Sequence, residues 1–318
     1  MVAEATAVVE ATANVSWMRF YSASADTNAA GAYSHIDVRP LTGSLGAEIF
    51  GPTLNRISDE EAGEIRRAAA DHKVVFFRDQ DLTTEQFEDF AGVWGSFGTD
   101  PFIAAIPDHP HVVRVCKEAD EKSPFVFGGA WHSDWSFQAT PPSFTLLYAV
   151  DVPDVGGDTM WANMNLAYES LSPELKRTLS RVEAVHSPKN AYGSSATHND
   201  LAENMEILYG PDAHLRHNHP AVRIHPETGE PALFVNPGYV VGIDGLRPDE
   251  ADLILHHLYE VATNPTFTCR FRWRPGSLAV WDNRCTLHNP ISDYLGTRRE
   301  MMRITIAGEA PIPVQNLG

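Results

Sequence analysis

The sequence predicts a mainly β fold, a sandwich or jelly roll, with helices flanking it. Strand-length apolar runs recur from Val112 onward, at 112–115, 144–150, 159–161, 182–185, 222–224, 233–235, 278–281 and 303–306. Phe267, Cys269, Phe271 and Trp273 alternate with Thr268, Arg270, Arg272 and Arg274, the period of two that buries one face of a strand and wets the other. Helix signals are few by comparison.

Residues 1–33 are rich in Ala, Ser, Thr and Val without a clear period and read as a flexible N-terminal tail. Order is expected from about His35, and residues 34–318 read as a single domain, with no internal repeat and no linker to divide them. Two short strands are expected at His35–Val38 and Ala47–Phe50. Ser58 with Glu61 forms a capping box that starts a helix running to about His72. Val74-Val75-Phe76-Phe77 is a continuous apolar run of strand length and belongs in the core. Thr83 with Gln86 starts a second helix, 84–94, which Gly95 ends. Further helical sequence lies at 166–180, where Ser172-Pro173 reads as a cap followed by a first-turn proline, and at 248–262. The polar stretch 187–220 is long for a plain connection and reads as a lid or binding loop.

Composition excludes several classes. A net charge of -18 is unsuited to broad contact with a phosphate backbone, so no nucleic-acid partner is expected. No run of about 18 apolar residues is present, so no membrane span is expected. The cysteines Cys116, Cys269 and Cys285 are odd in number and far apart, with no C-x-x-C, which fits a reducing compartment rather than a disulfide scaffold or thiolate zinc site. The first 18 residues carry Glu4 and Glu10 and no base, unlike a secretory signal, and the cytoplasm is the expected location.

The chemistry centres on Gly129-Ala130-Trp131-His132-Ser133-Asp134-Trp135-Ser136-Phe137. On an extended strand residues i and i+2 share a face, so His132 and Asp134 aim at one point. An imidazole and a carboxylate are two thirds of the 2-His-1-carboxylate triad that holds Fe(II) with open positions. A second His-x-Asp, His198-Asn199-Asp200, competes for this reading, and either copy taken alone reads first as a loop or surface pair. His198, His214, His217, His219 and His225 form a His-rich patch that would bind a metal only if clustered; a polar loop is the simpler account. Downstream stand Gly156-Gly157-Asp158-Thr159, Trp281-Asp282-Asn283-Arg284, His288, Arg299 and Arg303.

Taken in order, Val74-Val75-Phe76-Phe77-Arg78-Asp79-Gln80, Trp131-His132-x-Asp134, Gly156-Gly157-Asp158-Thr159, Trp281-Asp282-Asn283-Arg284 and Arg299 resemble the taurine dioxygenase family of Fe(II)- and 2-oxoglutarate-dependent oxygenases. The resemblance covers about residues 35–308 and implies a double-stranded β-helix, the jelly roll already expected. It implies that His132, Asp134 and His288 ligate Fe(II), and that Arg299 and Thr159 bind the far carboxylate of 2-oxoglutarate. A planar guanidinium fork matches a carboxylate with two charge-assisted bonds. Reaction with O2 would then oxidise the substrate and release succinate and CO2. Arg303 matches the family's sulfonate-binding arginine and implies a small anionic organic substrate, with Trp135 and Tyr239 as pocket walls. Hydroxylation at a carbon bearing O, N or S would cleave that bond. The family's contacts to taurine itself fall on Asp100, Ile103 and about Gly128, none of which can reproduce them, so taurine is not the expected substrate. A homo-oligomer is expected by analogy alone. Two other classes use the same residues: a zinc-dependent hydrolase, and a small-molecule-binding protein without catalysis.

Overall fold

The computed structural model describes residues 21–124, 126–193, 204–208 and 211–314. In chain order the strands are β1 (Asp37–Pro40), β2 (Ala47–Phe50), β3 (Val74–Phe77), β4 (Ala105–Ile106), β5 (His109–Lys117), β6 (Phe144–Asp151), β7 (Thr159–Asn163), β8 (Glu183–His186) and β9 (His217–Pro220). They continue as β10 (Val222–Ile224), β11 (Pro231–Leu233), β12 (Val240–Ile243), β13 (Thr268–Phe271), β14 (Leu278–Asp282), β15 (Thr286–Pro290), β16 (Arg299–Thr305) and β17 (Ile312–Pro313). The helices are α1 (Asp59–His72), α2 (Thr84–Gly92), α3 (Met164–Glu169), α4 (Pro173–Leu179), α5 (Lys189–Tyr192) and α6 (Pro248–Ala262).

The large sheet runs β1-β2-β3-β14-β6-β16-β5-β4, and three smaller sheets run β13-β7-β15, β12-β8-β9 and β11-β10-β17. Non-sequential neighbours such as β3-β14 and β6-β16 pair antiparallel, the winding of a jelly roll with helices at its flank. The alternation of side chains explains why β3 is apolar throughout. Val75 and Phe77 face the layer that holds Ile65, Phe87 and Phe90 of α1 and α2. Val74 and Phe76, with Trp281 of the neighbouring β14, face the smaller sheet that carries Trp161 and Phe271. Phe76 and Phe271 stack with ring centroids 4.1 Å apart, closing the two layers on each other.

Both capping boxes form as expected, Ser58 with Glu61 and Thr83 with Gln86. Lys73 ends α1 in the left-handed conformation at φ 67°. Several boundaries shift, each for a local reason. The 84–94 helix stops at Gly92, before the positive φ of Gly95. The 166–180 segment begins earlier, at Met164, because the Asn163 side chain accepts from the amides of Asn165 and Leu166, and Ser172-Pro173 restarts it as a separate helix. The strand expected from Arg303 begins at Arg299, where the backbone of β16 already pairs with Lys117 of β5. The apolar pattern at 233–235 marks the end of a strand that starts at Pro231.

The tail expected over 1–33 falls outside the described residues for 1–20. Within 21–33, order starts earlier than His35. Asn28 is buried, donates to the carbonyls of Thr42 and Gly46, and bonds the His72 ring at 2.7 Å. Within the expected lid, 194–203 and 209–210 lie outside the described residues, whereas α5 and β9 supply regular structure.

The His-rich patch takes a structural form. His217 donates Nδ1–H to the Phe137 carbonyl at 2.6 Å, and His219 donates Nε2–H to Gln138 at 2.9 Å. Neither belongs to a converging metal-donor set among the described residues, and His198 lies outside them. Burial lowers the His186 and His219 pKa values, the latter from 6.5 to about 4. A histidine with a depressed folded pKa binds its proton more readily when unfolded. Its contribution is intact above 6.5 and is lost as pH falls towards about 4. The thermal midpoint should therefore drop across that window, and His219→Gln should flatten the drop in a pH series of melting curves; an unaltered slope would contradict this role.

Candidate active site

The first donor set is built across the barrel mouth. His132 precedes β6, and His288 sits in the middle of β15. A two-bond backbone bridge joins them: His132 N to His288 O at 3.0 Å, and His288 N to His132 O at 2.8 Å. This lays the two imidazoles 4.1 Å apart between centroids. Asp134, two residues on from His132, turns to the same point. Its Oδ1 is 3.6 Å from His132 Nε2 and 3.9 Å from His288 Nε2. All three residues are buried, and their donor atoms lie within 4.8 Å of one another.

Neighbouring groups fix which atoms face inward. His132 Nδ1 donates to the Ala130 carbonyl at 2.7 Å, which leaves the lone pair on Nε2 directed at Asp134. Asp134 Oδ2 accepts from Thr145 Oγ1 at 2.7 Å, so only Oδ1 is presented. Thr145 accepts from Asn283 Nδ2 at 2.8 Å, and Asn283 Oδ1 accepts from Trp281 Nε1 at 3.1 Å and from the Asp134 amide at 3.2 Å. Burial alone would raise the Asp134 carboxyl pKa, but the Arg303 guanidinium beside it leads the charges that outweigh burial and lower it. Burial pushes the His288 pKa well down, with His132 adding to the effect, so that imidazole is neutral. One anionic oxygen and two imidazole nitrogens, with no thiolate, suit non-haem iron as a donor set.

Gly128 and Gly156 are required by close approach. A Cβ on Gly128, at φ 73°, would come 2.9 Å from His132 Cε1. One on Gly156, at φ 87°, would come 2.5 Å from the Asp293 carbonyl oxygen. The Gly156-Gly157 turn feeds β7, whose inward face carries Thr159 and Trp161.

On β16 the alternation sends Arg299, Met301 and Arg303 inward together. Arg299 is 4% exposed and makes no ion pair with an acid among the described residues. Its Nε donates to the Gly157 carbonyl at 3.2 Å, and its Nη2 has no hydrogen-bond partner. A buried cation with an orphaned N–H is a receptor for an anion. Thr159 Oγ1 accepts from Trp273 Nε1 at 3.0 Å, which leaves its own O–H to donate. Thr159, Arg299 and Arg303 line one narrow cavity together with His132, Asp134 and His288.

Arg303 lies between two carboxylates. Nη1 donates to Asp100 Oδ1 at 2.8 Å; Nη2 is 2.9 Å from Asp134 Oδ1, but poorly aligned, so this is an ionic contact and not a hydrogen bond. Trp135 stands behind it rather than at the open wall: its Nε1 donates to Asp100 at 2.8 Å and its ring packs 5.0 Å from the Arg303 guanidinium carbon. Tyr239 meets His132 edge-on at 5.8 Å and lines an adjoining cavity of about 400 Å³ with Val126, Phe127, Tyr192, Ile207 and Pro237. Two larger surface grooves, of about 870 and 790 Å³, contain none of these residues.

A second donor group, His225, Asp282 and Cys285, is already satisfied internally. His225 Nε2 donates to Asp282 at 2.9 Å, its Nδ1 accepts from the Thr228 amide at 3.1 Å, and Arg284 pairs with the same carboxylate. Sequence reasoning passed over Thr145, Asn283 and the Asp100 clamp. The one signal for Thr145 is a short polar side chain in the otherwise apolar and aromatic run 144–150.

The family model "Taurine catabolism dioxygenase TauD, TfdA family" matches residues 37–305. The chain is 33% identical over 278 residues to an alkylsulfatase of Acinetobacter baylyi, covering 86% of each. It is 32% identical over 283 residues to an alpha-ketoglutarate-dependent sulfate ester dioxygenase of Pseudomonas putida, covering 88% of this chain and 92% of the relative. Among solved structures, a taurine dioxygenase from Burkholderia xenovorans superimposes with a TM-score of 0.75 at 35% identity, over 89% of this chain and 93% of that one. The chain belongs to the TauD/TfdA family and is a 2-oxoglutarate-dependent dioxygenase.

Proposed function

We propose that this dioxygenase uses Fe(II) and O2 to hydroxylate a small organic anion at a carbon bearing oxygen or sulfur. The product then collapses with C–O or C–S cleavage, and succinate and CO2 are released. The observation that carries the assignment of residues is Arg299, a buried guanidinium with no acidic partner among the described residues, beside the triad. A zinc hydrolase on the same ligands has no use for that cation, whereas the five-carbon dicarboxylate co-substrate does.

His132 Nε2, Asp134 Oδ1 and His288 Nε2 hold the metal, and Thr145 keeps the carboxylate single-pronged so that coordination positions stay open. Iron held there supplies the activation of O2 at the expense of 2-oxoglutarate. Arg299 and the Thr159 hydroxyl receive the far carboxylate of 2-oxoglutarate. Arg303 Nη2 faces the substrate's anionic group, and the remainder of the substrate extends past Tyr239 into the apolar cavity of about 400 Å³. Burial on all sides keeps water from the reacting carbon. Relatives named for sulfate esters support this substrate class. The enzyme works in the cytoplasm on this reading.

The test is aerobic incubation with Fe(II), 2-oxoglutarate and a panel of alkyl sulfates, alkylsulfonates and aryloxyalkanoates. At least one member should stimulate succinate formation and release its sulfate, sulfite or phenol in equal amount; stimulation by none would contradict the reading. Arg299→Ala should raise KM for 2-oxoglutarate by roughly 10- to 100-fold, the worth of a charge-assisted bond to a buried carboxylate. Steady-state kinetics at saturating substrate measures this, and an unchanged KM would refute the role of Arg299. Thr145→Val keeps the shape but frees Asp134 Oδ2, and should weaken Fe(II) affinity by about 10-fold or more in an anaerobic metal titration; equal affinity would remove Thr145 from the account.

A further inference from the structure

Asp100 is spent entirely on its own protein. Its side chain is 9% exposed. Oδ1 accepts from Arg303 Nη1 and from Trp135 Nε1, both at 2.8 Å, and Oδ2 accepts from Thr305 Oγ1 at 3.3 Å. It reaches a ligand only through Arg303. Holding Trp135 and Arg303 in place requires an acceptor, and a neutral amide oxygen would serve. The charge itself is what remains to be explained.

We propose that Asp100 is a specificity-determining residue: by opposing the charge of Arg303 it restricts the substrate's head group to one negative charge. The site then takes a sulfate monoester, sulfonate or carboxylate and turns away a phosphate monoester dianion. This rests on the reading of Arg303 as the substrate's anion contact.

The charge count decides it. Arg303 contributes +1 and Asp100 −1, and Asp134 is committed to the metal. The Asp100–Arg303 pair is therefore neutral. A monoanionic head group brings this buried region to −1, and a dianion brings it to −2. Water is scarce around these side chains, since Asp134, Arg303, Thr305 and Trp135 are all buried. Each added charge is therefore felt through a low effective dielectric. Without Asp100 the guanidinium would favour the dianion. With it, Nη1 is held by Asp100, while Nη2, 2.9 Å from Asp134 Oδ1 but in no hydrogen bond, is left to meet one anionic oxygen.

Asp100→Asn is the direct probe. The amide oxygen can keep the bonds from Arg303 and Trp135, and its NH2 can donate to Thr305, so shape is retained while the charge is removed. The measurement is calorimetric binding of hexyl sulfate and hexyl phosphate at pH 8, without oxygen, to enzyme loaded with Fe(II) and 2-oxoglutarate. Hexyl phosphate is a dianion at that pH, its second pKa being about 6. Wild type should bind the sulfate at least ~10-fold more tightly than the phosphate. In Asp100→Asn the sulfate should tighten by ~10-fold and the phosphate by ~100-fold, since a dianion feels twice the repulsion. Equal binding of the two by wild type, an unchanged ratio in the variant, or a proportionate loss of both would each overturn the proposal. The wild-type ratio decides the matter if the variant does not fold, and absence of binding to wild type counts against it. Arg303→Ala separates the two levels. If that variant still binds hexyl sulfate as wild type does, the reading of Arg303 itself falls. If binding is lost while Asp100→Asn leaves the ratio unchanged, only the role of Asp100 falls.

Discussion

Two backbone hydrogen bonds between His132 and His288 are the constraint from which the site follows. They join the segment before β6 to β15 of the smaller sheet, the layer that packs on the large sheet through Phe76, Trp161 and Phe271. Main-chain bonds are indifferent to side-chain identity, so they fix the spacing of the two imidazoles without drawing on either ring. Asp134, two residues on and at the start of a turn rather than on a continuing strand, reaches the same point, and its spare oxygen is held by Thr145. Core packing, in this sense, is what sets the donor geometry.

Around that centre the charges are arranged by unequal pairing. Asp134 is ionised despite burial because the Arg303 guanidinium faces it. Arg303 has Asp100 on one arm, whereas Arg299, four residues earlier on the same strand face, forms no ion pair with an acid among the described residues. The contrast gives the two guanidiniums different tasks. On the proposed reading, the unpaired one receives the co-substrate carboxylate and the paired one is a moderated contact for a second anion, so that one strand would present two anion sites of different strength, separated by Met301.

Much of this was legible in the sequence where local pattern and final environment agree. The doubly buried β3 announces itself as Val-Val-Phe-Phe, and both capping boxes form as written. His132, Asp134, His288, Thr159, Arg299 and Arg303 converge on one cavity, as the family resemblance implied. Legibility failed where meaning comes from a distant partner. Thr145 looks like an ordinary strand residue until Asp134 is seen beside it. Asp100 could be recognised only as unable to repeat a relative's contact; its clamp on Arg303 and Trp135 exists only in three dimensions. The start of β16 was missed because Arg298, Arg299 and Glu300 lack the apolar signature of a strand, each being held by a specific partner or by burial in the site. The His-rich patch reads from composition as a polar loop that would hold a metal only if clustered; His217 and His219 spend their N–H groups on backbone carbonyls, and His225 spends its own on Asp282.

The central claim is that one ferrous ion and the keto-acid co-substrate are held side by side by this chain. Anaerobic absorption spectroscopy reads that directly. Adding 2-oxoglutarate to the Fe(II)-loaded protein should produce the weak visible charge-transfer band of the chelate, and His132→Ala should abolish it. A wild-type protein that gives no band, or a His132→Ala variant that gives it undiminished, would contradict the account.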